Sequence, residues 1–332
     1  MRKKILLIRL DKIGDLICTL PADQILDPKI YDVTWVIQRG LGSVLDLGSV
    51  KRKYIELDKK NIKQSRVHFS QLLRRHKFDI AISFQCPWWI NYELFKANIP
   101  KRIGVLSQWH SFLFLNQGLR QKRSDAIKHE FDYNLELVKK ITGPVQQKNS
   151  DILFEFKKPT SSEILTKFNL PNEYIIIHPG MMGSALNWPQ KKYIEYIQHK
   201  IQQNKKIVIT GTDADEIYLT EIKQEFELHP DVFWLQSKLN FNELLQIIYY
   251  SQKIVAPSTG VAHIAAALNK EIHCLFSPIQ VHHPRRWAPR GKNTFVYLPE
   301  ILTSKNICPA QKKCLKENCQ NYNCMETVRL IS

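Results

Sequence analysis

The chain has 332 residues, 44% of them hydrophobic and 24% charged. That is too long for one ordinary core and too apolar for a disordered chain, so two packed domains are expected. Its formal net charge of +17 points to an anionic partner and leaves nucleic acid, acidic lipid and phosphorylated sugar open.

The basic residues are scattered, as Lys51 to Lys53, Arg74, Arg75 and Lys77, Arg120, Lys122 and Arg123, and Lys312 and Lys313. They form no single arginine block interleaved with aromatics, so no nucleic-acid partner is expected. No apolar run approaches the roughly 18 to 20 residues of a membrane-spanning helix, and the first strand-like run meets Arg9 and Asp11 too soon for a signal peptide. A cytoplasmic chain is expected, its seven cysteines mostly free thiols.

In chain order, Lys4 to Leu10 predicts a buried parallel strand, Asp11 to Gly14 a turn, and Asp15 onward a helix broken near Pro21. Val33 to Gln38 predicts a strand, Gln64 to His76 a helix, and Phe78 to Phe84 another strand. This alternation implies a parallel sheet with helices on both faces. Gly143, Pro144, Pro159 and Pro171 disfavour helix between Thr142 and Asn172, so the domain boundary is placed there, dividing residues 1–155 from 156–332.

The second half repeats the pattern. Strands are expected at Tyr174 to His178, Lys206 to Thr210, Val232 to Leu235, Lys253 to Ala256 and Glu271 to Phe276. Between them fall helices at Lys191 to Gln203, Asp215 to Glu227, Asn242 to Ser251 and Val261 to Leu268, which together describe a doubly wound α/β domain.

Ligands of such sheets bind beyond the carboxyl ends of strands, where amides and helix starts are exposed. Four segments follow strands: Arg9 to Asp15, His178 to Ser184, Thr210 to Asp213, and Pro257 to His263. Three lie in the second half, which is therefore assigned the nucleotide. Ser258, Thr259 and Gly260 place two hydroxyls and a glycine amide at a helix start, suited to an anionic diphosphate, with His263 in the first turn. Alternatively Ser258 only caps the helix and His263 is an interior histidine. The His178 turn has the same two readings. Asp15 follows Gly14 at a strand-to-helix turn and could accept a proton from a hydroxyl, or could simply complement the helix dipole.

These segments resemble glycosyltransferase family 9, the ADP-heptose lipopolysaccharide heptosyltransferases. The resemblance rests on Ile5 to Asp15, Phe78 to Gln85, Arg102 to Gly104, Tyr133 to Leu137, His178 to Gly180, Asn187 to Pro189, Ser258 to Ala267, Leu275 to Pro278 and Arg286 to Pro289, in family order. It implies a GT-B architecture, an α/β fold of two Rossmann-like domains with parallel sheets facing a central cleft. It further implies an inverting transfer without catalytic metal or cofactor, from an ADP-sugar donor to a lipid-linked saccharide of the lipopolysaccharide core, by an enzyme peripheral on the inner membrane.

On that resemblance Asp15 is the general base and Arg9, Gly14, Arg120 and Lys122 meet the acceptor. His178, Gly180, Ser184, Gly211, Asp215, Glu216, Ser258, Thr259, Gly260 and His263 hold the donor. Two positions depart from the family pattern: Leu186 stands where many members carry a lysine or arginine, and Ser258 where many carry an aspartate. They bear on which sugar is used; a family member with another donor sugar, or a nucleotide-sugar binder without catalysis, are the alternatives.

Cys308, Cys314, Cys319 and Cys324 lack the short spacing of structural zinc pairs, so a reduced tail packed on the domains is expected, with no metal. Cys18, Cys86 and Cys274 read as core thiols. Trp109 to Leu115 is expected as an apolar surface loop touching the bilayer, with Arg120 to Arg123 on anionic headgroups; the other reading puts these aromatics, with Trp35, Trp88 and Trp89, in the core.

Overall fold

The computed structural model describes residues 1–145, 148, 152–181, 183, 185–300 and 308–330. Two compact units result, one of Met1–Arg123 with Lys128–Glu155, the other of Ser124–Ile127 with Phe156–Ser332.

The first unit runs β1 (Lys3–Arg9), α1 (Ile13–Ile17), β2 (Tyr31–Gln38), α2 (Gly42–Asp46), β3 (Lys53–Leu57) and α3 (Ile62–His76). It continues through β4 (Ile80–Ser83), α4 (Trp88–Lys96), β5 (Lys101–Val105), α5 (Trp109–Phe114), β6 (Gln117–Leu119) and α6 (Glu130–Thr142). Its six-stranded parallel sheet has the order β3-β2-β1-β4-β5-β6. The central strand is apolar without alternation because helices cover both faces: Ile5, Leu6, Leu7 and Ile8 are all 0% exposed. Helix α3 starts where Asn61 accepts from the Gln64 amide and ends at Lys77 in the left-handed region. Between these caps it buries Phe69, Leu72 and Leu73 against Leu6, Ile8 and Trp89.

The second unit contains α7 (Glu163–Lys167), β7 (Ile175–Ile177), α8 (Gln190–Gln202), β8 (Ile207–Ile209), α9 (Thr220–Phe226) and β9 (Val232–Trp234). After these come α10 (Phe241–Tyr250), β10 (Lys253–Pro257), α11 (Gly260–Ala267), β11 (Glu271–Leu275), α12 (Pro284–Trp287) and β12 (Thr294–Tyr297). The sheet order is β12-β11-β10-β7-β8-β9, again parallel throughout. Counting from its own first strand, this is the first unit's order repeated, the doubly wound dinucleotide-fold arrangement. The isoleucine runs of β7 and β8 form the core with Tyr193 and Ile197 of α8, and Met325 and Val328 of the cysteine-bearing tail pack into the same cluster.

Three local expectations are revised. The helix expected from Asp15 onward starts at Ile13 and is only five residues long, and the chain passes into a 3-10 turn at Leu20–Ile25, since Pro21 cannot donate a helical hydrogen bond. The helix expected over Asp215 to Glu227 is a 3-10 turn (Asp213–Tyr218) followed by α9. The apolar segment from Trp109 is helix α5 and not a loop. It leaves Trp109, Phe112 and Leu113 exposed, whereas Trp35 and Trp89 are core residues and Trp88 is exposed. Among the described residues no helix is long and apolar enough to cross a membrane.

Candidate active site

In each sheet the chain winds outward in one direction and then in the other, so the crossover connections diverge beside its first strand and leave a crevice there. In the first unit this place lies between β1 and β4. The end of β1 brings Arg9 there, 1% exposed, and three carboxylates meet its guanidinium, two from the segment after β1 and one from the start of α6. Nη2 donates to Asp15 Oδ1 at 2.6 Å, and Nη1 donates to Glu130 Oε1 at 3.3 Å. Nε lies 3.0 Å from Asp11 Oδ2, an electrostatic contact off the hydrogen-bond direction.

Glu130 opens α6, is 0% exposed, and is shared with a second buried cation: Arg123 Nη1 donates to it at 2.5 Å and to Asn134 Oδ1 at 3.0 Å. The remaining Arg123 nitrogens donate to Gln121 Oε1. Thus Arg9, expected among the acceptor contacts, is enclosed by carboxylates. Arg123, expected on headgroups with Arg120 and Lys122, points inward.

Asp15 reaches solvent with its side chain 22% exposed, as does Asp11 at 33%, whereas Glu130 is 0% exposed. Burial raises its pKa, Arg9 opposes the rise, and Asp11 and Glu130 add to it. Burial would weaken the Arg9 cation, but Asp15, Asp11 and Glu130 outweigh it and hold the guanidinium above its ordinary value. A proton acceptor with one fixed oxygen and a raised pKa is the outcome. Gly14 precedes it within α1, and Arg120 and Lys122 are exposed further along the chain. On the other side of the crevice Gln85 turns with φ 56°, letting the Cys86 thiol reach the Ile8 carbonyl at 3.2 Å; burial pushes that thiol up to about 12.

In the second unit the corresponding place lies between β7 and β10. His178 follows β7, its amide bonded to the Val255 carbonyl at 2.9 Å. Its Nδ1 lies 3.0 Å from the Thr210 hydroxyl at the end of β8. Burial pushes its pKa down to about 4, against the pull of Asp215, so it is neutral at physiological pH.

Ser258 follows β10 with its amide bonded to Leu275 O at 3.1 Å, and Thr259 is the N-cap of α11 with no side-chain cap hydrogen bond. The hydroxyls of this turn therefore do not serve as helix caps. Gly260 begins the helix, and His263 sits within its first turns, 7% exposed.

Asp215 is 2% exposed and closes a capping box: its Oδ2 accepts from the Thr212 amide at 2.9 Å and from the Thr212 hydroxyl at 2.7 Å. It braces the turn after β8 and also explains Gly180, where any side chain would collide with the Asp215 carboxyl. Gly211 has a similar constraint against Leu219. Glu216 is exposed and accepts from Gln236 Nε2 at 2.6 Å. Ser184 lies outside the described residues. Leu186 packs against the core, Lys192 is paired with Glu195, and Lys191 is exposed. Among the described residues no group of three or more His, Cys, Asp or Glu is arranged to hold a metal ion.

Residues 66–318 match glycosyltransferase family 9 (heptosyltransferase). A Haemophilus influenzae protein that carries a glycosyltransferase name is 26% identical over 314 residues, 86% of each chain. Lipopolysaccharide heptosyltransferase 3 of Escherichia coli is 22% identical over 302 residues, 83% of this chain and 84% of its own. The structure of E. coli ADP-heptose LPS heptosyltransferase II shares the fold with a TM-score of 0.75 at 19% identity, over 93% of this chain and 95% of that one. These matches, together with the two doubly wound units, define the chain as a glycosyltransferase. It belongs to glycosyltransferase family 9, the heptosyltransferase family.

The raised pKa of Asp15 carries a stability signature. A carboxyl whose folded pKa lies above its unfolded value favours folding fully below the unfolded range and loses that contribution as pH rises through the folded value. Asp15→Asn should therefore melt above the wild type at neutral pH, with the gain shrinking toward pH 4. Calorimetric scans across pH test this, and a difference constant with pH would contradict it.

Proposed function

We propose that the chain transfers a heptose, or a closely related sugar, from an ADP-sugar to a saccharide of the lipopolysaccharide core, with inversion and without a catalytic metal. The observation that carries the reading is the Asp15 carboxylate, fixed by buried Arg9 at the crevice of the first sheet and poised to accept a proton. An acceptor hydroxyl oxygen attacks the anomeric carbon while its proton passes to Asp15. The bond from that carbon to the donor diphosphate breaks on the opposite face, and the electron pair leaves with the nucleoside diphosphate.

The first unit takes the acceptor with Gly14, Arg120 and Lys122 beside the base, and Arg9 acts as the residue that positions Asp15. The second unit takes the donor. Ser258, Thr259 and the amides from Gly260 hold the diphosphate, supported by the α11 dipole, and His178, Gly180, Ser184 and His263 complete its surroundings. Glu216 and the turn at Gly211, braced by Asp215, face the nucleoside. With Leu186 in place of a cation, the phosphate relies on amides and hydroxyls, and Ser258 in place of an aspartate alters the bonds offered to the sugar hydroxyls.

Membrane attachment at the cytoplasmic face is part of the same reading. Trp109, Phe112 and Leu113 of α5 are 67%, 52% and 62% exposed, and the Arg120 guanidinium lies 5.3 Å from the Phe112 ring centroid. An apolar face bordered by cations suits an anionic lipid surface.

Two outcomes are expected. In a thermal-shift screen, ADP-sugars should raise the melting temperature more than UDP- or GDP-sugars, and Asp15→Ala should keep that shift while losing about 10²- to 10⁴-fold in transfer. Undiminished transfer by Asp15→Ala would remove the base assignment. In co-sedimentation with phosphatidylglycerol vesicles, Arg120→Gln with Lys122→Gln should weaken binding by about fivefold per charge removed; unchanged binding would remove the membrane face.

A further inference from the structure

The opposite edge of the second sheet carries a feature for which the donor site has no use. At the amino ends of β7, β10 and β11 lies a cavity of about 260 Å³ lined by Ile175, Lys200, Lys205, Gln252, Lys253 and Glu271. The strand register sets Lys253 beside Ile175 on one side and Glu271 on the other. Lys200 comes from the last turn of α8 and Lys205 from the segment that follows it.

Lys200 is 4% exposed. Its ammonium donates to Gln203 Oε1 at 2.9 Å and lies 5.4 Å from the Tyr196 ring centroid. Among the described residues, the ion pairs of this unit between lysine and carboxylate are Lys167 with Glu243, Lys192 with Glu195, Lys206 with Asp231, and Lys223 with Glu227. None involves Lys200, Lys205 or Lys253, and Glu271, the cavity's carboxylate, is hydrogen-bonded at 2.8 Å to His273, an imidazole whose pKa burial holds down.

A lysine in the last turn of a helix complements the helix dipole, which accounts for the place of Lys200. It does not account for a second lysine from β10 and a third from the turn around a cavity whose one carboxylate, Glu271, balances at most one of the three positive charges. Bringing like charges together at a partly buried site costs free energy unless an anion fills it. The strain registers in Lys200, whose pKa is held down by burial and then by Lys253 and Lys205.

We propose that this cavity binds a compact phosphate-bearing anion, either free phosphate or pyrophosphate or the phosphate of a lipid headgroup, at a site separate from the donor crevice. Three ammonium groups act as point charges for phosphate oxygens, and the volume admits a group of that size while falling below the usual range for a drug-sized ligand. The site lies at the amino ends of strands whose carboxyl ends carry His178 and Ser258, so one sheet would carry two anion sites on opposite edges.

The test is calorimetric titration of the whole chain with inorganic pyrophosphate. The wild type should bind it, and Lys205→Gln with Lys253→Gln should weaken the affinity by at least about tenfold, as should Lys200→Met alone. Ser258→Ala with Thr259→Val removes the donor crevice's share of the pyrophosphate bound and should leave the lysine-dependent binding in place. Because Lys205 and Lys253 are only half-buried, their neutralisation leaves the core intact. A parallel arm measures co-sedimentation of the same variants with phosphatidylglycerol vesicles. Lysine-dependent binding of pyrophosphate alone assigns the site to free phosphate, and lysine-dependent vesicle binding assigns it to a headgroup. The proposal is overturned if neither probe binds, if binding ignores the lysines, or if only the Ser258 and Thr259 variant loses pyrophosphate.

Discussion

A buried guanidinium governs the first unit. Arg9 sits at the end of the central strand with 1% of its surface exposed, where an uncompensated cation would be prohibitively costly. Asp15, Asp11 and Glu130 compensate it, and Arg123 in turn compensates Glu130. Removing either guanidinium of such a group strands carboxylates in low dielectric, at a cost of about 3 to 5 kcal/mol. That penalty holds the turn from Asp11 to Asp15 against the sheet and fixes the carboxylate on which the proposed chemistry depends. Lys59 pairs Asp11 in turn, so the charges balance in number; burial first, and then the nearby Asp11 and Glu130, keep Asp15 ready to take a proton.

The second unit solves a different electrostatic problem with the same topology. Its crevice has to receive negative charge, and no carboxylate side chain is offered at the start of α11; hydroxyls and amides stand there instead. The one buried acid nearby, Asp215, is turned inward to cap Thr212 and to press against Gly180. His178 is kept neutral by burial, so it presents a hydrogen-bonding ring and not a charge. The two units thus differ chiefly in what their first strand delivers: a cation ringed by acids in one, and a neutral ring beside hydroxyls in the other.

The central strands were readable from residue order because burial on both faces makes them continuously apolar, as in Ile5 to Ile8 and Ile175 to Ile177. Strands β3, β5, β6 and β12 were not, since they are short and carry exposed or charged residues such as Lys53, Glu56 and Lys101. Asp15 was legible from its place after a strand and a glycine. Its partners were not: Glu130 is 121 residues from Arg9, and no local pattern announces a contact of that range. Asp215 is a different case: its cap on Thr212 spans three residues, a capping-box spacing that residue order does carry. Helix α5 was read as a loop because six residues with aromatics at both ends have little helical period to detect.

The account turns on whether Asp15 takes the proton in a charge environment set by Glu130. The pH dependence of kcat/KM for sugar transfer, compared between the wild type and Glu130→Gln, tests this most directly. An acid limb above the ordinary aspartate range is expected for the wild type, displaced to lower pH when the Glu130 charge is removed. A rate without an acid limb, or a limb that Glu130→Gln leaves in place, would contradict it.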